Sequence, residues 1–234
     1  MCLVSCIMPT SNRRSFIERS IALFHGQGFR DSELLILDDG TDSVDDVVSW
    51  QSRLFSSVSR VDSRIKYWHV DKITLGAKRN WLCEHARGKY IIHWDDDDWY
   101  RQDRIRRTVE VFETMNVEAC GTSTAYFHDV VNGKAWRYQY RDRGVFVVGS
   151  SLAYRRSFWE RSPFPDIQLC EDTEFMRAIP SGMLYDMKDT SLCIATVHPD
   201  NVSKTRPDSQ YPEWEPVDIK LVLQLMLTPA LRLF

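Results

Sequence analysis

The chain has 234 residues, of which 43% are hydrophobic, 27% charged and 12% aromatic, and its formal net charge is -3. This is the composition of an ordinary globular protein, so it excludes disordered, collagen-like and low-complexity chains. Proteins that bind nucleic acid non-specifically are usually basic, so the slightly acidic balance argues against a nucleic-acid partner.

The sequence gives no sign of export or of membrane insertion. No apolar run approaches the roughly 18 residues that a membrane span needs, and the first residues lack the basic start and long apolar stretch of a signal peptide. The six cysteines are scattered and form no C-x-x-C pair. We therefore expect reduced thiols and a cytoplasmic location.

The first half of the chain alternates strand and helix signals. Short apolar runs predict strands at 3–8, 33–37, 64–70 and 89–94, and amphipathic stretches predict helices around 17–24, 44–58, 77–86 and 105–112. Ser11 or Asn12 is available to cap the first of these helices. Alternation of this kind predicts an α/β fold with a doubly wound, mostly parallel central sheet and helices on both faces.

The second half is less regular. Residues 122–154 are typical of short strands and turns, with a hairpin tip at Asn132-Gly133. A helix is expected from Glu171, a strand at 191–197 and an apolar helix at 217–227. The favoured interpretation of this last helix is docking on the body; the alternative is contact with a membrane surface or a partner protein. No repeat or linker is apparent, so a single domain is predicted.

Polar clusters follow three of the predicted strands. They are the segments 9–12, 38–39 and 95–98. Each has an ordinary explanation, because Asn12 can cap a helix and Asp38-Asp39 can form a turn. In a doubly wound sheet, however, ligands bind outside the carboxyl ends of the strands. Together the clusters predict one acidic crevice at that edge.

The run Asp95-Asp96-Asp97-Asp98 is the most informative of the three. Adjacent carboxylates repel one another and raise one another's pKa. A divalent cation relieves that repulsion, and oxygen ligands favour Mg2+ or Mn2+. The alternative is a loop in which Asp98 caps the next helix.

Neither glycine-rich phosphate-binding motif is present, which disfavours dinucleotide oxidoreductases and P-loop phosphotransferases. What remains is a nucleotide whose diphosphate is held by the metal, with Lys78 and Arg79 as cationic contacts. Asp172 begins a predicted helix, where a carboxylate is favourable for the helix dipole alone. His198 ends a strand and is either structural or part of a metal shell.

Five motifs occur in a characteristic order. They are Met8-Pro9-Thr10 with Asn12-Arg13, Leu37-Asp38-Asp39-Gly40-Thr41, Gly76-Ala77-Lys78-Arg79-Asn80, the segment from His93 to Tyr100, and Cys170-Glu171-Asp172. In this order they resemble the family two glycosyltransferases with a GT-A fold, over residues 3–203. The resemblance implies a nucleotide-sugar donor with UDP as the first choice, a divalent cation (Mn2+ or Mg2+), inversion at the anomeric carbon, and an acceptor hydroxyl on a glycan, lipid or protein.

The resemblance also implies roles for particular residues. The residues expected to bind the donor are Pro9, Thr10, Asn12, Asp38, Asp39, Lys78, Arg79, Asp95 and Asp96. Asp97 would be the more direct metal ligand, with Asp95 and His198 beside it; the alternative register of the two acids is Asp96 and Asp98. Asp172 would be the general base, and 149–151 would form an acceptor-side loop. Residues 1–120 would be the nucleotide-binding half, 121–210 a smaller acceptor-side β region, and 211–234 an apolar C-terminal helix.

Two other classes stay open as alternatives. A sugar nucleotidyltransferase also combines an α/β sheet with metal-bound aspartates, although the segment 9–12 lacks its glycine-rich basic loop. A catalytically inactive carbohydrate-binding module on the same scaffold is the non-enzymatic alternative. A haloacid-type phosphatase is disfavoured, because the acids follow the fourth predicted strand and Trp99 stands where that motif needs Thr or Val.

Two further groups of residues have an ordinary interpretation and a functional one. Arg101, Arg104, Arg106 and Arg107 lie in one helix; a solvated face is favoured over a site for an anionic partner. Trp94, Trp99, Trp136, Trp159 and Trp214, with Tyr100 and Tyr126, are expected mostly in the core or at its rim, with stacking on sugars as the alternative.

Overall fold

The computed structural model describes residues 2–54, 62–140, 146–203, 207–208 and 210–227. Its strands are β1 (Val4–Thr10), β2 (Ser32–Asp38), β3 (Ile65–His69), β4 (Tyr90–His93), β5 (Trp99–Tyr100), β6 (Ala119–Gly121), β7 (Thr124–Asp129), β8 (Lys134–Gln139), β9 (Ala153–Arg155), β10 (Leu184–Asp186), β11 (Cys193–Val197) and β12 (Trp214–Val217). Its helices are α1 (Arg14–His25), α2 (Asp45–Leu54), α3 (Leu75–His85), α4 (Arg104–Thr114), α5 (Arg156–Arg161), α6 (Glu171–Arg177) and α7 (Ile219–Leu227).

The strands form two sheets. The larger has the order β10-β6-β9-β4-β1-β2-β3, and its four strands β4, β1, β2 and β3 run parallel. Only β9 runs antiparallel to its neighbours β4 and β6 among the described strands of this sheet. Because the carboxyl ends of parallel strands meet at one edge, Thr10, Asp38 and the loop after His93 come together there.

The second sheet has the order β12-β8-β7-β11-β5. The hairpin of β7 and β8 turns at Asn132-Gly133, as predicted, and Gly133 adopts the positive φ of 61° that such a turn requires. The short strand β5 leaves the acidic loop and pairs with β11. The second sheet therefore lies beside the carboxyl edge of the first, with the acidic loop between them.

Alternation along β1 explains why helices cover both faces of the larger sheet. Val4, Cys6 and Met8 pack into one apolar cluster with residues of α1, α2 and α4. Ile7 packs on the opposite face with residues of α3, α5 and α6. Strands buried on both faces read as continuous apolar runs, which is the pattern of β1 and β2. The predicted α/β class with a mostly parallel sheet and helices on both faces is confirmed.

Two local predictions need correction, and part of a third lies outside the described residues. The first helix is not capped by Ser11 or Asn12: the N-cap is Arg13, and the Asn12 side chain instead accepts hydrogen bonds from Thr41 and Asp42. Positions 55–58 of the predicted second helix lie outside the described residues. The apolar tail begins as strand β12, and its helix starts only at Ile219, because pairing with β8 takes the preceding residues.

The arginine-rich helix α4 is not a purely solvated face. Arg104 is fully buried, and its guanidinium lies 4.2 Å from the ring centroid of Tyr100. Arg101, predicted in this helix, lies before its first residue; it and Arg107 form ion pairs with Asp103 and Asp189. Local periodicity cannot reveal these pairs, since Asp189 lies far away in sequence. The positive charges of Arg101 and Arg107 are therefore paired with carboxylates of the same chain.

Helix α7 docks on the second sheet through Val222, which is fully buried against a cluster containing Ala135 and Ile194. Leu223 and Leu227 on the same helix remain 40% and 82% exposed. Docking, the favoured interpretation, is therefore confirmed for one face of the helix. Within the residues described here, helices long and apolar enough to cross a membrane are absent.

Candidate functional site

A cavity of about 820 Å³ opens where the carboxyl edge of the larger sheet faces the second sheet. Its lining brings together the end of β1, the acidic loop after β4, the start of α6 and the turn at 149–151. Such a volume is in the range of ligand sites of drug size or larger. Eight of the residues expected from the sequence line it, namely Pro9, Thr10, Lys78, Arg79, Asp95, Asp96, Asp97 and Asp172.

Asp96 is held by the end of β1. Thr10 Oγ1 donates a hydrogen bond to Asp96 Oδ2 at 2.5 Å, and Arg13 Nη1 donates to Asp96 Oδ1 at 2.9 Å. Burial and the neighbouring charge of Asp97 raise the pKa of Asp96 to about 6, although Arg13 and Thr10 act in the opposite direction. Thr10 and Arg13 therefore fix this carboxyl against the wall of the cavity.

Asp97 is the most heavily bonded acid of the loop. Its Oδ2 accepts from Arg13 Nη1 at 2.6 Å and from Asn201 Nδ2 at 3.2 Å, and it lies 2.9 Å from His198 Nε2. Burial would raise the pKa of Asp97, but the bond with His198 and the charge of Arg13 outweigh it, and the pKa is lowered. His198 and Asn201, which follow β11, thus orient an acid that follows β4.

Asp95 and Asp98 face different surroundings. Arg79 Nη2 lies 3.4 Å from Asp95 Oδ1, and the backbone N–H of Asp95 donates to the Tyr100 hydroxyl at 2.7 Å. Asp98 Oδ1 accepts from the backbone N–H of Thr196 at 2.8 Å, so Asp98 ties the loop to the second sheet rather than capping the next helix. Burial and the neighbouring acids raise the pKa of both residues.

The basic pair on α3 is paired with acids. Lys78 Nζ donates to Asp39 Oδ1 at 2.8 Å and to the Thr10 carbonyl at 3.1 Å. Burial lowers the pKa of Lys78, and Asp39 opposes that shift. Arg79 Nε donates to Glu171 Oε1 at 3.0 Å, whereas its Nη1 is buried with no partner in the described part of the chain. Arg79 lines the cavity, and its Nη1 therefore has no hydrogen-bond acceptor among the described residues.

Asp172 faces the acidic loop from the start of α6. Its Oδ1 accepts from the backbone N–H of Thr173 at 2.7 Å. On its other side Oδ2 packs against Gly149, where a β-carbon would overlap it. Two buried side chains hold that turn, since His93 Nδ1 lies 2.9 Å from the Gly149 carbonyl and Arg104 Nη2 donates to the Ser150 carbonyl at 2.6 Å.

Four expected site residues are not among the residues that line the cavity. They are Asn12, Asp38, Asp39 and His198. Asp38 accepts from the Tyr67 hydroxyl at 3.1 Å and from the Gly40 backbone at 2.8 Å. Asp39 holds Lys78 in place, and His198 does the same for Asp97. Asp39 and His198 therefore position groups that face the cavity, whereas the contacts described for Asn12 and Asp38 are with residues outside its lining.

Arg13, Glu171 and Gly149 take parts that the sequence motifs alone do not reveal. The signal for Arg13 is its position directly after the polar cluster of β1, where it can reach the acidic loop. For Glu171 the signal is its position directly before Asp172 in the sequence. For Gly149 the resemblance implies only an acceptor-side loop at 149–151, and its contact with Asp172 depends on the path of α6 past that turn.

The fit of a divalent cation can be judged from the donor groups. No cluster of three His, Cys, Asp or Glu side chains arranged to hold a metal exists within the described ranges. Asp95 and Asp97, two carboxylate residues, line the cavity. Mg2+ is commonly bound by one or two carboxylates together with substrate phosphates. The residues thus fit a cation that also takes oxygens from a bound diphosphate.

Curated relatives are glycosyltransferases. EpsJ of Bacillus subtilis (strain 168), an uncharacterized glycosyltransferase, is 25% identical over 224 residues, which cover 86% of this chain and 63% of EpsJ. A β-1,3-glucosyltransferase of Campylobacter jejuni, named for the substrate GalNAc(5)-diNAcBac-PP-undecaprenol, is 34% identical over 98 residues, covering 41% of this chain and 29% of that protein. The chain spans 18% of an uncharacterized Rickettsia felis glycosyltransferase, and 63% of EpsJ.

Solved structures share the fold. TarS of S. aureus in complex with UDP-GlcNAc has a TM-score of 0.68 at 18% identity, covering 87% of this chain and 61% of that one. The mannosyltransferase PcManGT of Pyrobaculum calidifontis, in complex with GDP-Man and Mn2+, has a TM-score of 0.63 at 17% identity, covering 85% and 58%. The family model described as Glycosyl transferase family 2 matches residues 5–191, most of the chain. The chain therefore belongs to glycosyl transferase family 2.

Proposed function

We propose that this chain transfers a sugar from a nucleotide-sugar donor, a UDP-sugar, to a hydroxyl of an acceptor, with inversion at the anomeric carbon and with a divalent cation. The observation that carries the proposal is the convergence in one cavity of Asp95 and Asp97 with Lys78, Arg79 and Asp172. This reaction needs carboxylates that hold a metal cation, positively charged side chains that contact the diphosphate, and a separate carboxylate that accepts a proton.

Three solved structures of two proteins bear on the donor and the metal. The TarS structures hold UDP or UDP-GlcNAc, and the PcManGT structure holds GDP-Man and Mn2+. The shared fold supports a nucleotide-sugar donor for this chain, and its diphosphate would lie at the carboxyl edge of the larger sheet, next to Thr10 and Lys78. Asp95 and Asp97 would hold the cation, which would supply positive charge to the diphosphate.

The residues on the other side of the cavity would act on the acceptor. An alcohol is a poor nucleophile at neutral pH, so a base must take its proton as it attacks. In the proposed reaction a carboxylate oxygen of Asp172 accepts that proton while the new C–O bond forms. The bond between the anomeric carbon and the diphosphate oxygen breaks on the opposite face, which inverts the configuration. Arg79 and Lys78 would stabilise the negative charge that develops on the departing nucleoside diphosphate.

A thermal-shift screen of nucleoside diphosphates and their sugars, with and without Mn2+, tests the donor. A ligand that binds only the folded protein stabilises it by about 2.7 kcal/mol at 100 times its Kd. We expect UDP and one UDP-sugar to raise Tm most, and more so with Mn2+. Release of UDP from that sugar nucleotide in the presence of an acceptor then measures turnover.

Other outcomes would point to other functions. Release of pyrophosphate from UTP and a sugar 1-phosphate would identify a nucleotidyltransferase. Binding of saccharides without turnover of any sugar nucleotide would identify a carbohydrate-binding module. A screen in which no nucleoside diphosphate or nucleotide sugar raises Tm with Mn2+ present would contradict the proposed function.

A further inference from the structure

The part of the cavity lining that comes from the second sheet carries a group of aromatic residues. We call Phe127, Tyr138, Tyr140 and Trp214 the aromatic wall; all four line the cavity. Trp214 on β12 lies directly across from Tyr138 on β8. Ala125 on β7 is paired with Tyr138 on β8, so these two residues lie on the same face of the sheet. Phe127 is two positions beyond Ala125 on β7 and therefore lies on that face too. Three adjacent strands therefore present their rings on one face.

The rings of the aromatic wall support one another. Ring centroids lie 4.6 Å apart for Tyr138 and Trp214, 4.8 Å for Phe127 and Trp214, and 5.0 Å for Tyr138 and Tyr140. The interplanar angles are 51°, 76° and 85°, in the tilted to edge-on range that aromatic pairs prefer. Packing of this kind holds Trp214 in place while it still lines the cavity.

The aromatic wall and the proposed base line the same cavity. Tyr140 and Asp172 are both part of that lining, and burial, Tyr138 and the negative charge of Asp172 raise the pKa of Tyr140. A molecule lying on the wall therefore shares the cavity with Asp172, where one of its hydroxyls can meet the carboxylate. The donor groups Lys78 and Arg79 belong to a different element, α3.

The chemistry of the wall favours a neutral, amphipathic ligand. The described residues of the second sheet that line the cavity include no lysine or arginine. A phosphate group has no cation to meet on this wall. A pyranose, in contrast, offers an apolar C–H face to a ring and hydroxyls to the phenols of Tyr138 and Tyr140.

We propose that the aromatic wall is the acceptor subsite, and that the acceptor is a saccharide whose pyranose face stacks on Trp214 with one hydroxyl directed at Asp172. This inference rests on the proposed function, which leaves the class of acceptor open. The stacked sugar is the group that receives the new bond, whatever it is attached to.

Saturation-transfer NMR tests this directly. The probes are the methyl glycosides of glucose, galactose, mannose and N-acetylglucosamine at millimolar concentration, with geranyl phosphate as a lipid probe. For at least one glycoside we expect the C–H protons of one ring face to receive most saturation from the wild-type protein. Trp214→Ala should bind that glycoside about tenfold more weakly. Trp214→Leu keeps an apolar side chain without the ring, and it should weaken glycoside binding to the same extent. This second variant tests the proposal even if Trp214→Ala fails to fold.

Trp50→Ala is the matched control, because Trp50 is 53% exposed on α2 and does not line the cavity. It should bind the glycoside as the wild type does. The Tm increase caused by UDP with Mn2+ should be the same in Trp214→Leu and in the wild type.

The two proposals fail in different ways. Unchanged glycoside binding in both Trp214 variants, or saturation of geranyl phosphate alone, would overturn the acceptor subsite. So would the binding of UDP by a protein that binds none of the glycosides. A wild-type protein that binds glycosides through Trp214 but never UDP would instead overturn the proposed function.

Discussion

Gly149 packs directly against the carboxylate of Asp172, so closely that a β-carbon at position 149 would overlap Asp172 Oδ2. The turn that carries Gly149 is itself held by His93 and Arg104, through the carbonyls of residues 149 and 150. Thr173 holds the other carboxylate oxygen. The proposed base is therefore fixed from both sides by groups that have no other part in the reaction.

Replacing Gly149 by alanine should impair transfer without weakening donor binding. The added methyl group must push the Asp172 carboxylate away, and a displacement of about 1 Å at a reacting group can cost about 100-fold in rate. We expect kcat to fall by about that factor in Gly149→Ala, with the UDP-induced increase in Tm unchanged. Steady-state kinetics and thermal shift measure the two quantities.

The control for this substitution is Gly26→Ala. Gly26 follows α1 in a helical conformation, and a β-carbon there meets its nearest neighbour at an ordinary 3.4 Å. That variant should keep full activity. Full activity in Gly149→Ala as well would show that the contact with Asp172 does not matter for transfer.

The metal proposal predicts a coupled effect on Tm and on rate. Asp97→Asn removes a carboxylate charge from the proposed cation site, where the cation is expected to contribute several kcal/mol. We expect transfer to fall by about 1,000-fold, and Mn2+ to lose its additional effect on the UDP-induced Tm increase. The exposed Asp42, whose side chain is 66% accessible, provides the control variant Asp42→Asn. Activity that persists undiminished in excess chelator would refute metal dependence.

The pH dependence of stability should carry a contribution from Glu33, far from the cavity. Its carboxylate accepts from Ser5 at 2.7 Å and from Arg87, both through the backbone N–H at 2.8 Å and through the guanidinium. Burial alone would raise the pKa of Glu33, but these bonds and the charge of Lys66 lower it. A carboxyl whose pKa is lowered by folding stabilises the protein above its unfolded pKa, here 4.5, and loses that contribution as the pH falls through its folded pKa.

Glu33→Gln should therefore reduce the free energy of unfolding by about 1–3 kcal/mol at pH 7. The difference from the wild type should shrink as the pH is lowered below 4.5. Urea denaturation across this range measures it, with the exposed Glu18 in the control variant Glu18→Gln. A difference that stays constant with pH would show that the charge of Glu33 contributes nothing.

The fold could largely be predicted from the sequence because its signals are local. Apolar runs such as β1 and β2 are buried on both faces, and the polar residues that end them fall on one edge. Thr10 and Asp38, neighbours in the observed register, illustrate this. The acidic loop after β4 follows from the same rule.

What could not be predicted depends on contacts between distant segments. Arg104 looks like part of a solvated helix face, yet it is buried beneath the turn at 150. Arg13 reaches two acids more than 80 positions away. The aromatic wall combines β7, β8 and β12, and nothing in the local pattern around Trp214 indicates which strand it pairs with.

The proposed reaction depends most on Asp172 as the group that takes the acceptor's proton, and Asp172→Asn tests this by changing one non-hydrogen atom. An amide cannot accept the proton but keeps the size of the side chain and its contact with Gly149. The measurement is sugar transfer by Asp172→Asn, beside the UDP-induced Tm increase in the same sample. We predict that transfer is nearly abolished while UDP binding equals that of the wild type; transfer at the wild-type rate would contradict the account.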